Sequence, residues 1–566
     1  MKSFRVNVNG ESLLFNEGEK YSAILKKDYI NEKIPITLVK QRNKYYEFTD
    51  LINNDGDIEL INISDPHGKI AYSRTLQFVF IKATLDLFKD ARINIEHSIS
   101  KGTFGEIHKE KALDEEDILK IKKKMQEIID KNIIIEKIKM PKKEAIDIFK
   151  SYKMQDKVDL LHWVQEEYVN LYKLEDRYDY FYGDMAYSTG VLKYFDLLYY
   201  NPGFILMVPS HKEPTVVPVF KEQKKLFNVF RENETWLNIL GTPDVGSLDY
   251  KLEGEESSDI IRVSEALHEK KIAQIADMIS ERKEVKIVLV AGPSSSGKTT
   301  FSKRLSIQLR VNGYIPIAIS LDDYFINRIH TPLDEEGKPD FESINALDLE
   351  LFNKNLYDIL EGEEVEIPSY NFKIGEREWL GNKIKLPDNG VLVIEGIHGL
   401  NPKLTEKIPS KNKFKVYISA LTQLNLDNHN RIPTTDVRKI RRIVRDSLSR
   451  GYGAEQTLEM WSSIKRGEEK NIFVYQEEAD VMFNSTLVYE LAALKEYALR
   501  ELEKVDKNSS VYYEAKRIIN TLKFFVEVKP ERVPENSILR EFIGGSCFYK
   551  YKNIVRNLLS IILKIY

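Results

Sequence analysis

One string constrains this chain more than any other: Gly292-Pro293-Ser294-Ser295-Ser296-Gly297-Lys298-Thr299. It follows the short apolar run Val285 to Ala291 and precedes a stretch of helical periodicity from Thr299 to Arg310. Strand, glycine loop and helix therefore come in the order that a phosphate-binding loop requires. The glycines let the backbone curl until successive N–H groups point inward, the helix start adds partial positive charge, and Lys298 reaches the outer phosphates. Ser294, Ser295, Ser296 and Thr300 complete the cradle, and the Thr299 hydroxyl is offered to Mg²⁺.

Two carboxylate sites stand where that loop needs them. The apolar runs Ile315 to Leu321 and Val391 to Ile394 alternate with helical segments, the pattern of a parallel sheet flanked by helices. Asp322-Asp323 and Glu395 follow these runs, at the strand ends where open α/β sheets bind ligands. Asp322 is placed to take a proton from a hydroxyl attacking the γ-phosphate of a nucleotide, and Asp322, Glu395 and Thr299 are candidate Mg²⁺ ligands. Taken singly, either carboxylate also reads as a loop cap. The spacing of Arg438, Arg441, Arg442 and Arg445 puts most of them on one helix face, with Arg450 beyond. They either converge on phosphates or pair with Asp436 and Asp446 on a solvated helix. No Asn-Lys-x-Asp string follows the loop, which favours ATP over GTP.

At 566 residues the chain exceeds one hydrophobic core, so two to four domains are expected. The 84 basic and 88 acidic side chains nearly cancel, so no global electrostatic footprint for nucleic acid exists. The single cysteine, Cys547, excludes an internal disulfide framework and a cysteine-rich zinc site. With no secretion-type start and no apolar run of about 18 residues, a cytoplasmic chain without a membrane span is expected. The apolar stretch Val555 to Tyr566, with interspersed Arg and Lys, reads as a tail helix packed on its own domain or lying on a membrane surface.

Ahead of the loop, Phe4, Val6 and Val8 alternate before Asn9-Gly10, a β-hairpin pattern that opens a small β-rich module ending near Asn62. Asp65-Pro66-His67-Gly68 is turn chemistry, and Leu76 to Phe88 reads as a helix. Asp114 caps a second helix with Ile118, Ile121, Met125 and Ile128 on one face; its lysines form a solvated face or an RNA patch. The Tyr- and Phe-rich stretch from Tyr168 to Tyr200 is core or a stacking platform, closed by the Asn201-Pro202-Gly203 turn. Residues 241–259 are polar and glycine-containing, the best domain linker. The expected division is 1–62, 65–240, a linker over 241–260, and 261–566 with a helical tail.

GPSSSGKT, SLDDYF, VLVIEGIHGLN and DVRKIRRIVRDSLSRG follow one another so that residues 285 to 490 resemble the uridine kinase and phosphoribulokinase family. The resemblance implies Asp322 as general base, Glu395 as the Mg²⁺-linked acid, and the arginine helix, with Arg441, Arg445 and Arg450, as a mobile lid over ATP. The family's Phe-Asp pair and Tyr-Asp-Phe stretch become Phe341-Glu342 and Tyr370-Asn371-Phe372 here, and Asp323 and Tyr324 join them as expected acceptor contacts. Asn371 is uncharged, which leaves uridine itself open; the aromatic residues are pocket wall or core. The first half resembles the N-terminal regions of threonyl-tRNA synthetases: a TGS-like module over 1–62, then a second-additional-domain-like segment containing His97-Ser-Ile-Ser-Lys-Gly102. The positions of the synthetases' metal or editing site hold Tyr72, Leu76, Phe181 and Met185, which offer poor ligands.

The resulting expectation is a multidomain α/β and α+β protein whose C-terminal part transfers the γ-phosphoryl of Mg-ATP to a small hydroxylated molecule, a nucleoside such as uridine or cytidine. A sugar-phosphate or other small-alcohol kinase, and an ATP-gated RNA- or ribosome-binding regulator, are the alternatives. An oligomer, and an RNA or small-molecule ligand of the N-terminal half, stay open.

Overall fold

The computed structural model describes residues 3–26, 33–422 and 424–548; the tail expected over Val555 to Tyr566 lies outside them. The first module is a five-stranded sheet in the order β2-β1-β5-β3-β4, built from β1 (Ser3–Val8), β2 (Glu11–Asn16), β3 (Ile36–Gln41), β4 (Lys44–Tyr46) and β5 (Gly56–Asn62). Its opening hairpin forms because Asn9 (φ 49°) and Gly10 (φ 85°) both take the left-handed conformation of a tight two-residue turn.

Helix α1 (Pro66–Leu87) starts at the turn residues themselves, ten residues before the expected Leu76. Asp65 makes this possible, its side chain accepting from the backbone N–H groups of His67 and Gly68 while Pro66 takes the first helical position. Beyond it, β6 (Arg92–Ile99) and β7 (Gly102–His108) form an antiparallel sheet in the order β11-β12-β7-β6. Helix α2 (Glu115–Asp130) is capped by Asp114 and buries Ile118, Ile121, Met125 and Ile128, as the sequence predicts. A three-stranded sheet comprises β8 (Glu136–Pro141), β9 (Tyr168–Leu174) and β10 (Arg177–Asp179); α3 (Lys142–Ser151) and α4 (Gln155–Trp163) separate its first two strands. Strands β11 (Asp196–Tyr200) and β12 (Gly203–Met207) complete the half, followed by α5 (Lys224–Leu240).

The expected linker over 241–259 is not a tether. Asp244 and Ser247 make a capping box that starts α6 (Val245–Glu253), and Val245, Leu248 and Leu252 bury its inner face. Helix α7 (Ser257–Glu281) begins four residues later. Gly241 and Gly254 cap packed helices, and Gly246 is buried where α6 meets α4.

The C-terminal half is a five-stranded, all-parallel sheet in the order β14-β19-β13-β20-β23, with helices on both faces. Its strands are β13 (Ile287–Ala291), β14 (Ile315–Ser320), β19 (Gly390–Glu395), β20 (Lys413–Ser419) and β23 (Val481–Asn484). In β13, Val288 and Val290 pack with α7 and α8 (Lys298–Val311), while Ile287 and Leu289 pack with α9 (Leu349–Leu360). Alternation with both faces apolar is what a doubly covered parallel sheet demands. Short pairs β15 (Val365–Glu366) with β18 (Lys383–Ile384), and β16 (Ser369–Asn371) with β17 (Glu376–Glu378), form a flap before β19. The hairpin β21 (Asn425–Asp427) and β22 (Asn430–Arg431) precedes α10 (Thr434–Ser449) and α11 (Ala454–Asn471); α12 (Glu490–Leu502), α13 (Tyr512–Leu522) and the one-turn α14 (Arg540–Ile543) follow β23. Among the described residues no helix is long and apolar enough to cross a membrane.

The halves are locked by charge. Lys157 of α4 is sealed from solvent and lies 3.0 Å from both Asp179 of β10 and Asp427 of the β21–β22 hairpin. His429 Nδ1 sits 2.7 Å from the other Asp179 oxygen, and the Asn430 amide donates to Asp427. Burial alone would raise the Asp179 carboxyl; His429 and Lys157 reverse that and hold it well below the usual range. Replacing Lys157 with Met removes the buried cation that Asp179 and Asp427 share, so a loss of about 3–5 kcal/mol is expected, read as a lowered urea midpoint.

Candidate active site

The loop between β13 and α8 has the curled backbone its sequence implies. Ser295 (φ 59°) and Gly297 (φ 86°) take left-handed conformations, turning loop amides toward one concavity. Gly292 is obligatory for another reason: a Cβ there would lie 1.9 Å from the carbonyl oxygen of Ile418 on β20. The Lys298 ammonium folds back on the carbonyls of Gly292 and Pro293 at 3.0 and 3.1 Å. The hydroxyls of Ser295 and Ser296 are buried without a hydrogen-bond partner.

Two strand ends converge beside this loop. Thr299 Oγ1 donates to Glu395 Oε1 at 3.2 Å, and Ser320 at the end of β14 donates to the same oxygen at 3.3 Å. Burial pushes the Glu395 carboxyl up to about 7, with Asp322 adding repulsion and Lys298 opposing it. Asp322 thus lies within electrostatic reach of both Glu395 and Arg450. It sits in a 3₁₀ turn over Leu321–Tyr324, where residues three apart eclipse one another. Leu321 and Tyr324 therefore point into the core together, leaving Asp322 and Asp323 on the cleft side.

This turn corrects one acceptor expectation. Tyr324 is buried, edge-on to Phe352, with its hydroxyl bonded to Asn355, so it is a core residue rather than a substrate contact. Asp323 accepts from the backbone N–H of Tyr370 at 3.1 Å and ties the flap to the turn. Phe325, Tyr370 and Phe372 make an aromatic wall with neighbouring centroids 5.1 to 6.4 Å apart, and the Arg450 guanidinium lies 5.8 Å from the Phe372 ring. Asn371 is consumed by its own hairpin, donating to Glu378 and accepting from the backbone of Lys373. Phe341 is partly exposed; Glu342 is wedged against Gly467. Burial and Glu468 push Glu342 up to about 7, against Arg442, Lys298 and Arg438.

The arginine helix is placed differently from a mobile lid. Helix α10 buries Val437, Ile440, Ile443 and Val444, and also Arg438 and Arg441. Arg441 is sealed in an ion pair with Glu490 of α12, and its remaining N–H groups bond Ser485 and the Ser295 carbonyl. It is a strut under the loop, not a group presented to phosphate. Arg445 and Arg450 gather with Arg442 around the buried carboxylate of Asp446, the partner named by the alternative reading. Asp436 instead pairs with Arg517 of α13.

Several loop contacts have no sequence signal. Arg438 donates to the Ser294 carbonyl and Arg442 to its hydroxyl, while Glu468 and Glu541 accept from the N–H groups of Ser294 and Thr300. The acids lie outside every motif, and only the fold brings them here. In the N-terminal half, Tyr72, Leu76, Phe181 and Met185 pack in one apolar cluster. Glu96, Glu106 and Glu234 bring carboxylate oxygens within 4.8 Å of one another, and Arg231 already bonds Glu106 at 2.7 Å.

A parallel sheet with this loop, and with acids at two neighbouring strand ends, defines a P-loop kinase fold. The comparisons are specific about which: residues 287–492 match the Phosphoribulokinase / Uridine kinase family. A uridine kinase from Macrococcus caseolyticus is 29% identical over 181 residues, covering 32% of this chain and 78% of that protein. The N-terminal part matches a threonine–tRNA ligase from Fusobacterium nucleatum, 31% identical over 160 residues, which is 28% of this chain and only 26% of the ligase. A solved structure of a possible uridine kinase from Bacillus stearothermophilus aligns over 38% of this chain and 100% of that one, with 18% identity and a TM-score of 0.26. The chain therefore carries a phosphoribulokinase/uridine kinase domain at 287–492 fused to a part similar to threonine–tRNA ligase.

Three variants test this electrostatic arrangement. The folded-state value of Glu395, about 7, lies above its ordinary 4.5, so folding binds a proton between them and stability falls as pH rises through that window. Glu395→Gln should therefore stabilise the nucleotide-free protein by about 1–3 kcal/mol at pH 8 and hardly at all at pH 4, in paired urea titrations. Arg441→Ala leaves Glu490 buried and unpaired, with an expected cost of about 3–5 kcal/mol. Arg450→Ala, at the cleft margin, should change the unfolding free energy by no more than about 0.5 kcal/mol.

Proposed function

We propose that the C-terminal half transfers the γ-phosphoryl group of ATP to a hydroxyl of a small acceptor, and that the acceptor is a nucleoside such as uridine or cytidine. The observation that carries this reading is the Thr299–Glu395 hydrogen bond, which joins the phosphate-binding loop to the acidic strand end with Asp322 alongside. Phosphoryl transfer needs positioning and charge stabilisation more than covalent chemistry from the protein, and this cleft is arranged for both.

In this mechanism the loop amides and Lys298 hold the outer phosphates. Thr299, Glu395 and Asp322 are all oxygen donors, the set that Mg²⁺ takes, and Glu395 is a buried carboxylate whose ionised form calls for a cation. Bound there, Mg²⁺ would supply charge neutralisation at the phosphate oxygens. Asp322 accepts the acceptor's hydroxyl proton as that oxygen attacks phosphorus. Arg450 adds positive charge near Asp322 and the aromatic wall.

The acceptor assignment draws on the wall of Phe325, Tyr370 and Phe372, which suits a flat base, and on the similarity to uridine kinases. With Asn371 closed into its hairpin, recognition of the base or sugar falls to other groups, Glu342 among them. Full-length protein incubated with Mg-ATP and a panel of nucleosides and sugar phosphates should yield a nucleoside monophosphate by mass spectrometry, and Lys298→Ala should yield none. Asp322→Asn should lower kcat about 10²–10⁴-fold while ATP still binds; unchanged turnover would remove Asp322 from the base role. RNA binding with no product from any acceptor would favour the regulator.

A further inference from the structure

Two of the chain's own carboxylates accept from backbone N–H groups of the phosphate-binding loop and the helix start after it, and they differ. Glu468 accepts from Ser294 N at 2.9 Å, but it is sealed inside the protein and neutralised by Arg438. Glu541 arrives from 241 residues farther along the chain. Its Oε2 accepts from Thr300 N at 3.0 Å and from Thr300 Oγ1 at 2.8 Å, in the first turn of α8. Those first-turn N–H groups have no partner within the helix and are what a helix start offers to an anion, nucleotide phosphate included.

The segment over 530–548 is built to hold the carboxylate there. Arg540, next to it, donates to the carbonyls of Pro530, Val533 and Gly544 and so closes the segment on itself. Leu539 and Phe542 are buried in the apolar core that also contains α10. Ile538 presses against Gly297, where an added Cβ would fall 2.5 Å from its Cδ1. Phe548 O accepts from Lys303 one turn along α8. Of the charges around Glu541, Lys303 attracts it and Glu395 repels it.

We infer that Glu541 is a built-in competitor for nucleotide phosphate: the 530–548 segment seats a carboxylate on Thr300, and ATP must turn that side chain off the loop to bind fully. The inference rests on the nucleotide-binding part of the proposed function. Because Leu539 and Phe542 anchor the backbone, rotation of one side chain suffices, and the device sets affinity without unfolding anything.

The test is calorimetric titration of Mg-ATP into full-length wild type, Glu541→Ala, Glu541→Gln and Lys298→Ala. Removing the competing charge-assisted hydrogen bonds should tighten ATP binding about tenfold in Glu541→Ala, with Glu541→Gln between it and wild type. Glutamine preserves shape, so it carries the test if the alanine variant does not fold. Equal or weaker binding in the variants overturns the inference, leaving the kinase reading intact if turnover persists. Tighter binding with no acceptor phosphorylated supports the inference and removes the kinase reading, whereas no ATP binding by any form overturns both.

Discussion

Arg441 and Glu490, both sealed from solvent, tie together the parts on which the cleft depends. The guanidinium on α10 grips the carboxylate at the start of α12, the Ser485 hydroxyl and carbonyl just past β23, and the Ser295 carbonyl in the phosphate-binding loop. Two ions withdrawn from water are tolerated only where geometry and extra hydrogen bonds satisfy them, and here nearly every donor is used. The loop is thus braced from beneath by a charge pair, which explains how a serine- and glycine-rich turn keeps one shape. A helix anchored this way is held against the loop by its own buried charge rather than free of it.

The same economy of buried charge recurs between the halves. Lys157, Asp179, Asp427 and His429 form a closed set across the junction, and Tyr513 of α13 bonds Asp184 while packing tilted against Tyr45 and edge-on to His67. Backbone contact adds to it, since Ile95 N donates to Asn428 O at 2.7 Å. Such contacts specify one docking geometry because a shifted partner would leave a charge unpaired. These contacts fix how the N-terminal half sits against the C-terminal half.

How legible this was depended on whether a feature is local. The hairpin at Asn9-Gly10 and the Asp114 cap were readable because their causes lie within a few residues. Helix α1 was placed late because Asp65-Pro66 serves both a turn and a helix start, and only the cap hydrogen bonds separate the two. The stretch 241–259 reads as a linker because capping residues and linker residues are the same amino acids; burial of Leu248 and Leu252 decides between them. Tyr324, expected as an acceptor contact beside two aspartates, is sent inward by the 3₁₀ turn.

By itself the sequence determined the parallel sheet, the loop after β13, and the strand-end positions of Asp322 and Glu395, because hydrophobic periodicity and a glycine-constrained turn are written within short windows. It also marked a second, synthetase-like half. Tertiary structure decided which arginines brace and which face the cleft, and that Glu468 and Glu541 touch the loop. Those outcomes depend on side chains far apart in sequence meeting in a low-dielectric interior, where each buried charge takes whichever partner the packing brings within reach.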